Sequence, residues 1–434
     1  DLRYQHNDAA LDYPGARLTK FAQNVRDEDI ASFGLNYAPA DNMELQVKGY
    51  WHDWDTEYTT INNVIGSPGD TVVVDQDTYW GYEDKGINVL GKYDTGAGFE
   101  VLGGYDYQTY SGRDDVLLIA EQEEEVHALF GQLRTTEDLI ENAAFAVGAR
   151  YNETGGVSTT VWNASGRYDF TDYLYAQGIV GTSFLLPTAY QLYAVDPCCS
   201  LGNPDLEPEE SENLNLALGG SFGNGAMFSW QATAFARKID NLISTLSFTE
   251  AGLDPTQPFR GYDPADYNFR LFGNVEGEVK VEGFELLGQA DFGNGFSAQL
   301  SYTQSESEQE SSGVTSDIQR IPSTYTKLSV GYSPENARFG VNANLLHTGE
   351  QISSVTGFGD VNYGDYVVAD LSAHYFLDAA RNHKLTLRVE NLFDEDYITR
   401  PNSALVDGTT SGERFFYGNR GVPQTLHVSY SLAF

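Results

Sequence analysis

The last ten residues, Thr425-Leu426-His427-Val428-Ser429-Tyr430-Ser431-Leu432-Ala433-Phe434, decide how the rest of the chain is read. Leu426, Val428, Tyr430, Leu432 and Phe434 share one face of an extended strand, while Thr425, His427, Ser429 and Ser431 share the other, because successive strand side chains point to opposite sides. The pattern recurs upstream. Leu385, Leu387, Val389 and Phe393 alternate with Lys384, Thr386, Arg388 and Glu390. Phe228, Trp230, Ala232, Ala234 and Ala236 alternate with Ser229, Gln231, Thr233 and Arg237, and Phe99, Val101, Tyr105 and Tyr107 oppose Glu100, Asp106 and Gln108. A water-soluble sandwich would alternate in the same way, so the connections must discriminate.

Those connections come in two lengths. Tight links rich in Gly, Asn, Asp and Pro occur at 39–42, 94–98, 170–172, 223–225, 292–295, 333–336 and 378–382, and suit short hairpin turns. Long polar connections run over 55–79, 111–123, 186–208, 241–278, 304–321, 349–364 and 394–422, with one short exception at Asn152–Gly156. Short turns on one side and long loops on the other are the signature of an outer-membrane β-barrel, whose strands must all pair because lipid offers the backbone no hydrogen bonds. The expected fold is therefore all-β, a transmembrane antiparallel β-barrel, with about 17 full strands starting near residue 29. Counting back from a periplasmic Phe434 places residues 1–28 outside the cell. An odd count with an external start implies that residues 1–434 are the C-terminal part of a larger barrel.

Composition agrees with this class. No run approaches the roughly 20 apolar residues of a spanning helix, and 44 Gly, 28 Tyr and 24 Phe accompany only two Cys and two Met. A formal charge of −38 repels phosphates, so no nucleic acid partner is expected. Asp1 follows no basic-then-apolar leader, so a secretion signal is expected upstream or already removed. The seven His are scattered and no hydrolase or metalloprotease motif occurs, so neither an enzyme, a cofactor nor a metal site is expected. Cys198 and Cys199 are adjacent in an expected external loop, where a strained vicinal disulfide is favoured over metal ligation.

Two segments are more specific. Phe184-Leu185-Leu186-Pro187-Thr188-Ala189-Tyr190-Gln191-Leu192-Tyr193, followed by Gly202-Asn203-Pro204-Asp205-Leu206-Glu207-Pro208-Glu209-Glu210-Ser211, resembles the paired motif of TonB-dependent outer-membrane receptors, departing from it at Leu185 and Leu186, where Arg-Ala is usual. Val389-Glu390-Asn391-Leu392-Phe393-Asp394-Glu395-Asp396-Tyr397 is similar to the family's penultimate-strand motif, and a last strand ending in Phe resembles an outer-membrane assembly signal. The resemblance spans 29–434. It implies a barrel of about 22 strands, plugged by an N-terminal domain that is not recognisable in these residues. It also implies location in the bacterial outer membrane among lipid and lipopolysaccharide, uptake of a small-molecule cargo, and energy from the TonB complex through an N-terminal region outside this chain. A ferric siderophore is the first choice of cargo, with cobalamin or an oligosaccharide as alternatives. Haem is disfavoured because residues 188–202 hold no His. A passive porin and a protein-binding adhesin are the competing classes.

Ligand capture in such a receptor falls to loop aromatics and arginines facing the external mouth. The candidates are Trp54, Tyr58, Trp80, Tyr190, Tyr193, Arg260, Tyr262, Arg270, Arg414, Phe415 and Tyr417. Against them stands the tendency of Trp and Tyr near strand ends to form an interfacial girdle facing lipid. For Trp54 and Trp80 the girdle or loop packing is the weightier expectation.

Overall fold

A computed structural model describes residues 1–434 apart from 15–19, 64–70, 197–199, 224–226, 260, 262–269, 276, 312–313, 407–411 and 434. Arg260, Tyr262, Cys198, Cys199 and the terminal Phe434 therefore lie outside the described residues. The rest is almost entirely strand, with one short helix, Ala189–Tyr193, among the described residues. None of the described helices is long and apolar enough to cross a membrane. The chain divides into two compact units, the first comprising 1–164, 181–211 and 240–276, the second 165–180, 212–239 and 277–434.

In the first unit seven strands pair antiparallel in chain order: Leu2–Pro14, Lys20–Ala40, Met43–Asn63, Thr71–Asp94, Phe99–Asp114, Ile119–Thr135 and Ala143–Thr154. The register aligns like with like. Leu35, Val47, Val89, Tyr105, Leu129 and Tyr151 stand side by side across six strands, and Leu129 is 64% exposed. On the opposite face Gly34, Lys48, Asn88, Asp106, Ala128 and Asn152 form the matching row. There Asn88 and Arg150 both hydrogen-bond Asp106, and Lys92 and Arg134 pair with buried Glu100. A sheet whose exposed face is apolar and whose other face is paired and polar is suited to lipid on one face and water on the other. Gly155 and Gly156, both at positive φ, turn the chain from Ala143–Thr154 into the next strand, Val157–Thr171, as a two-residue turn of the right twist requires.

The second unit repeats the arrangement with Gly277–Asp291, Phe296–Ser311, Thr324–Tyr332, Phe339–Thr348, Tyr366–Phe376, His383–Glu390 and Thr425–Leu432. Ala290, Ala298, Val330, Ala343, Leu371, Val389 and Leu426 align on one face. Gln289, Gln299, Ser329, Asn344 and Asp370 align on the other. Leu426, Val428 and Tyr430 are 64%, 63% and 56% exposed, so the C-terminal strand presents the apolar row its sequence announces.

The structure changes two expectations. Strand begins well before residue 29: Leu2–Pro14 is a strand paired with the first part of Lys20–Ala40. Along Lys20–Ala40 the face bearing Tyr37, Leu35 and Phe33 passes to Ala31, Asp29 and Asp27, so the ladder outruns its apolar band and the hydrophobic period that reveals a strand disappears. Among the described residues, several of the long connections are also partly paired strand. Strand continues through 55–63 and 71–79, only 115–118 turn between Asp114 and Ile119, Gln351–Val355 pairs with Gly359–Tyr363, and Ile398–Leu405 pairs with Arg414–Arg420.

Candidate functional site

Trp54, Tyr82 and Trp80 sit on the polar face of the first unit, because Trp54 is registered opposite Tyr82 and Thr56 opposite Trp80. A lipid girdle would need them on the other face. Instead Trp54 meets Trp80 edge-on at 4.8 Å and Tyr82 at 5.3 Å, while His52 meets Tyr82 at 5.3 Å. These are the offset and edge contacts that aromatic quadrupoles favour. Below the cluster the Asp84 carboxylate accepts from Tyr50 Oη at 2.8 Å and Gln108 Nε2 at 3.0 Å, which fixes its orientation.

The other wall comes from the connection 186–208. Pro187 cannot donate to a ladder and ends the strand Leu174–Leu185. Thr188 then caps the helix Ala189–Tyr193 with a full capping box: its Oγ1 accepts from Gln191 N at 3.3 Å, and Gln191 Oε1 accepts from Thr188 N at 2.8 Å. Val195 N donates to Leu117 O at 2.8 Å and ties the segment to the 115–118 turn. Behind the helix a small core of Val195, Leu201, Phe248 and Leu271 is buried, and Tyr190 packs edge-on against Phe272 at 5.5 Å. The re-entry segment is held as firmly. Asn274 Oδ1 accepts from Glu207 N at 2.9 Å, its Nδ2 donates to Glu207 O at 2.9 Å, and Asn241 Nδ2 donates to Pro208 O at 2.9 Å.

Glu124 joins the two walls. It accepts from Tyr110 Oη at 2.9 Å and from Tyr193 Oη at 3.2 Å, so one carboxylate pins a wall tyrosine and a helix tyrosine. Burial, and next to it the Glu124 charge, raises the Tyr193 hydroxyl above the ordinary tyrosine range and keeps it a donor at neutral pH. Between the walls lies a cavity of about 510 Å³, bounded by Trp54, Trp80, Tyr82, Tyr110, Tyr190 and Tyr193, with Asp84, Asp114, Glu124 and Arg113 also on its surface. That volume is in the range of small-molecule sites.

Four of the eleven candidates, Trp54, Trp80, Tyr190 and Tyr193, thus meet in one place. Tyr58 is half-buried on the same strand as Trp54 but does not line the cavity. Arg270 donates to Thr245 O at 2.7 Å and lies 3.9 Å from Glu250. Arg414, Phe415 and Tyr417 belong to the second unit, in the hairpin strand Arg414–Arg420; Arg414 donates to Ser403 Oγ at 3.2 Å and the two rings lie 5.9 Å apart. Sequence reasoning missed Tyr82, Tyr110, Asp84 and Glu124. Period-2 spacing from Trp80 points to Tyr82 and Asp84, but nothing local points to Glu124. In the first unit His6, Asp27 and Asp29 bring ligand atoms within 4.8 Å of one another, though Tyr4 and His6 already hydrogen-bond Asp29 at 2.6 and 3.1 Å.

Residues 2–392 match the family described as TonB dependent receptor-like, beta-barrel. Among curated proteins the chain is similar to the vitamin B12 transporter BtuB of Photobacterium profundum, 25% identical over 394 residues, covering 83% of this chain and 59% of that protein. Among solved structures it is similar to the ferric-catecholate import receptor Fiu of K12 E. coli, with a TM-score of 0.66 at 14% identity over 96% of this chain and 65% of Fiu. The copper transporter OprC gives 0.68 at 13% identity, over 100% of this chain and 72% of OprC. At those identities the structural likeness shows the fold.

Proposed function

The chain belongs to the TonB-dependent receptor β-barrel family, whose members lie in the bacterial outer membrane, and on that premise we propose that it forms the wall of an importer whose cargo is a corrinoid of the cobalamin type. The observation that carries this reading is the aromatic cavity on the polar face of the first unit. Six Trp and Tyr rings supply rigid contact area for an uncharged, ring-shaped ligand. The similarity to a vitamin B12 transporter over 83% of the chain supports the same cargo. Because the chain spans 59% of that relative's length, the plug and the segment that meets the TonB complex belong, in this proposal, to receptor sequence beyond these residues. Outer-membrane lipid and lipopolysaccharide pack against the exposed apolar rows.

A ferric siderophore, the first choice from sequence, stays the second reading for chelates without net charge, because the same apolar cavity would take them. Deleting the gene and restoring the full receptor tests both. Restored uptake of radiolabelled cyanocobalamin that also requires a functional TonB system is the expected result. Restored uptake of a ferric chelate alone would move the cargo to the second reading, and no uptake of either would favour a protein-binding adhesin.

A further inference from the structure

The charge on the cavity surface is lopsided. Three carboxylates, Asp84, Asp114 and Glu124, face one guanidinium, that of Arg113. None of the three carboxylates is neutralised by a cation among the described residues. Asp84 is held by Tyr50 and Gln108, Asp114 by the backbone N–H groups of Val116 and Leu117 at 2.8 Å each, and Glu124 by Tyr110 and Tyr193. All of those donors are neutral, so the negative charge stays. Arg113 is drawn aside, its guanidinium 4.5 Å from the Tyr79 ring centroid. Two of the four phenol protons on the cavity wall, those of Tyr110 and Tyr193, are already spent on Glu124. A ligand entering this space meets apolar ring surface and a net negative field in a partly dried site, where Coulomb energies exceed their values in water.

We infer that this cavity selects its cargo by charge, admitting uncharged or cationic ring-faced ligands and rejecting polyanionic chelates, with Glu124 as the specificity-determining residue. The inference rests on the reading of the cavity as the cargo site, but not on cobalamin being the cargo. Glu124 acts at two levels. Its charge repels an anionic ligand, and its two hydrogen bonds hold the hydroxyls of Tyr110 and Tyr193, whose side chains line the cavity with it.

The test uses the full receptor in detergent, with calorimetric titration of three probes: cyanocobalamin, an uncharged ferric trihydroxamate, and a polyanionic ferric tris-catecholate. At low salt, at least one uncharged probe is expected to bind, and the tris-catecholate to bind at least tenfold more weakly than it. Glu124→Gln should narrow that gap by roughly tenfold, the scale of one unit charge across several ångströms in such a site. Glu124→Asp, which keeps the charge, should preserve it. Asp84→Asn should narrow it independently should the Glu124 variants fail to fold. Raising the salt should shrink the gap in the unmodified receptor. Binding of an uncharged trihydroxamate without cyanocobalamin would sink the corrinoid reading while leaving charge selection standing. Equal or tighter binding of the tris-catecholate, no binding of any probe, or a gap unmoved by all charge-removing variants would overturn the inference.

Discussion

Asn391 is 1% exposed and spends every polar atom of its side chain. Its Nδ2 donates to Glu395 O at 2.8 Å and Val422 O at 2.9 Å, its Oδ1 accepts from Glu395 N at 2.8 Å, and its backbone N donates to Asp370 Oδ1 at 2.9 Å. Its φ of 50° is one that Asn tolerates better than most residues. The residue therefore ends the His383–Glu390 strand and anchors the start of the last connection at once. Asn391→Ala should destabilise the second unit by about 1–3 kcal/mol, since the partners lose their bonds while buried; thermal melts of the detergent-solubilised receptor would measure it. Trp54→Ala should weaken cargo binding by roughly tenfold or more, as expected for an aromatic anchor in a desolvated pocket, while leaving the melting temperature less affected than Asn391→Ala. In sequence Asn391 was visible only as part of a motif, and Trp54 only as one tryptophan near a strand end. What neither showed was direction: which face Trp54 takes depends on register, and register is fixed by the partners of the whole strand.

At the level of elements, turns and caps do the local work. In the 377–382 turn the Asp378 carboxylate accepts from His383 N at 2.9 Å and Asn382 N at 3.2 Å, and the His383 bond above all holds it below the ordinary carboxylate range. A depressed carboxylate stabilises the fold above its unfolded value, about 3.9, and that stabilisation is lost as pH falls through the lower folded value. Protection of the His383 amide against hydrogen exchange should therefore stay level from neutral pH to about 4 and fall below it. Asp378→Asn should abolish that acid-dependent step. The helix Ala189–Tyr193 is too short to persist without its capping box, so Thr188→Ala should cost about 1 kcal/mol. Faster exchange at Gln191 and Leu192, with unchanged exchange in Phe99–Asp114, would show the loss to be local. The tight turns were legible because Gly, Asn, Asp and Pro mark them. The extensions of the strands were not: beyond the apolar band both faces are polar, as in Arg26-Asp27-Glu28-Asp29, and no periodicity distinguishes such a strand from a loop.

For the whole molecule, the alternation of apolar and polar faces is the property that sequence carried furthest, since it depends only on neighbours two residues apart. The cavity lay beyond its reach, because Trp54, Trp80, Tyr110, Glu124 and Tyr193 come from separate strands and a helix and converge only once every register is set. The central claim is that one face of each unit meets lipid and the other meets water. Single cysteines, introduced after replacing Cys198 and Cys199 by serine and labelled with a fluorophore, test it in bilayers of the full receptor. Labels at Leu129, Tyr151 and Val428 should be quenched by lipid-borne bromine and spared by aqueous iodide, and labels at Asn88 and Ser329 should behave in the opposite way. Aqueous quenching at Leu129 and Val428 with lipid quenching at Asn88 and Ser329, or no difference between the two sets, would contradict the account.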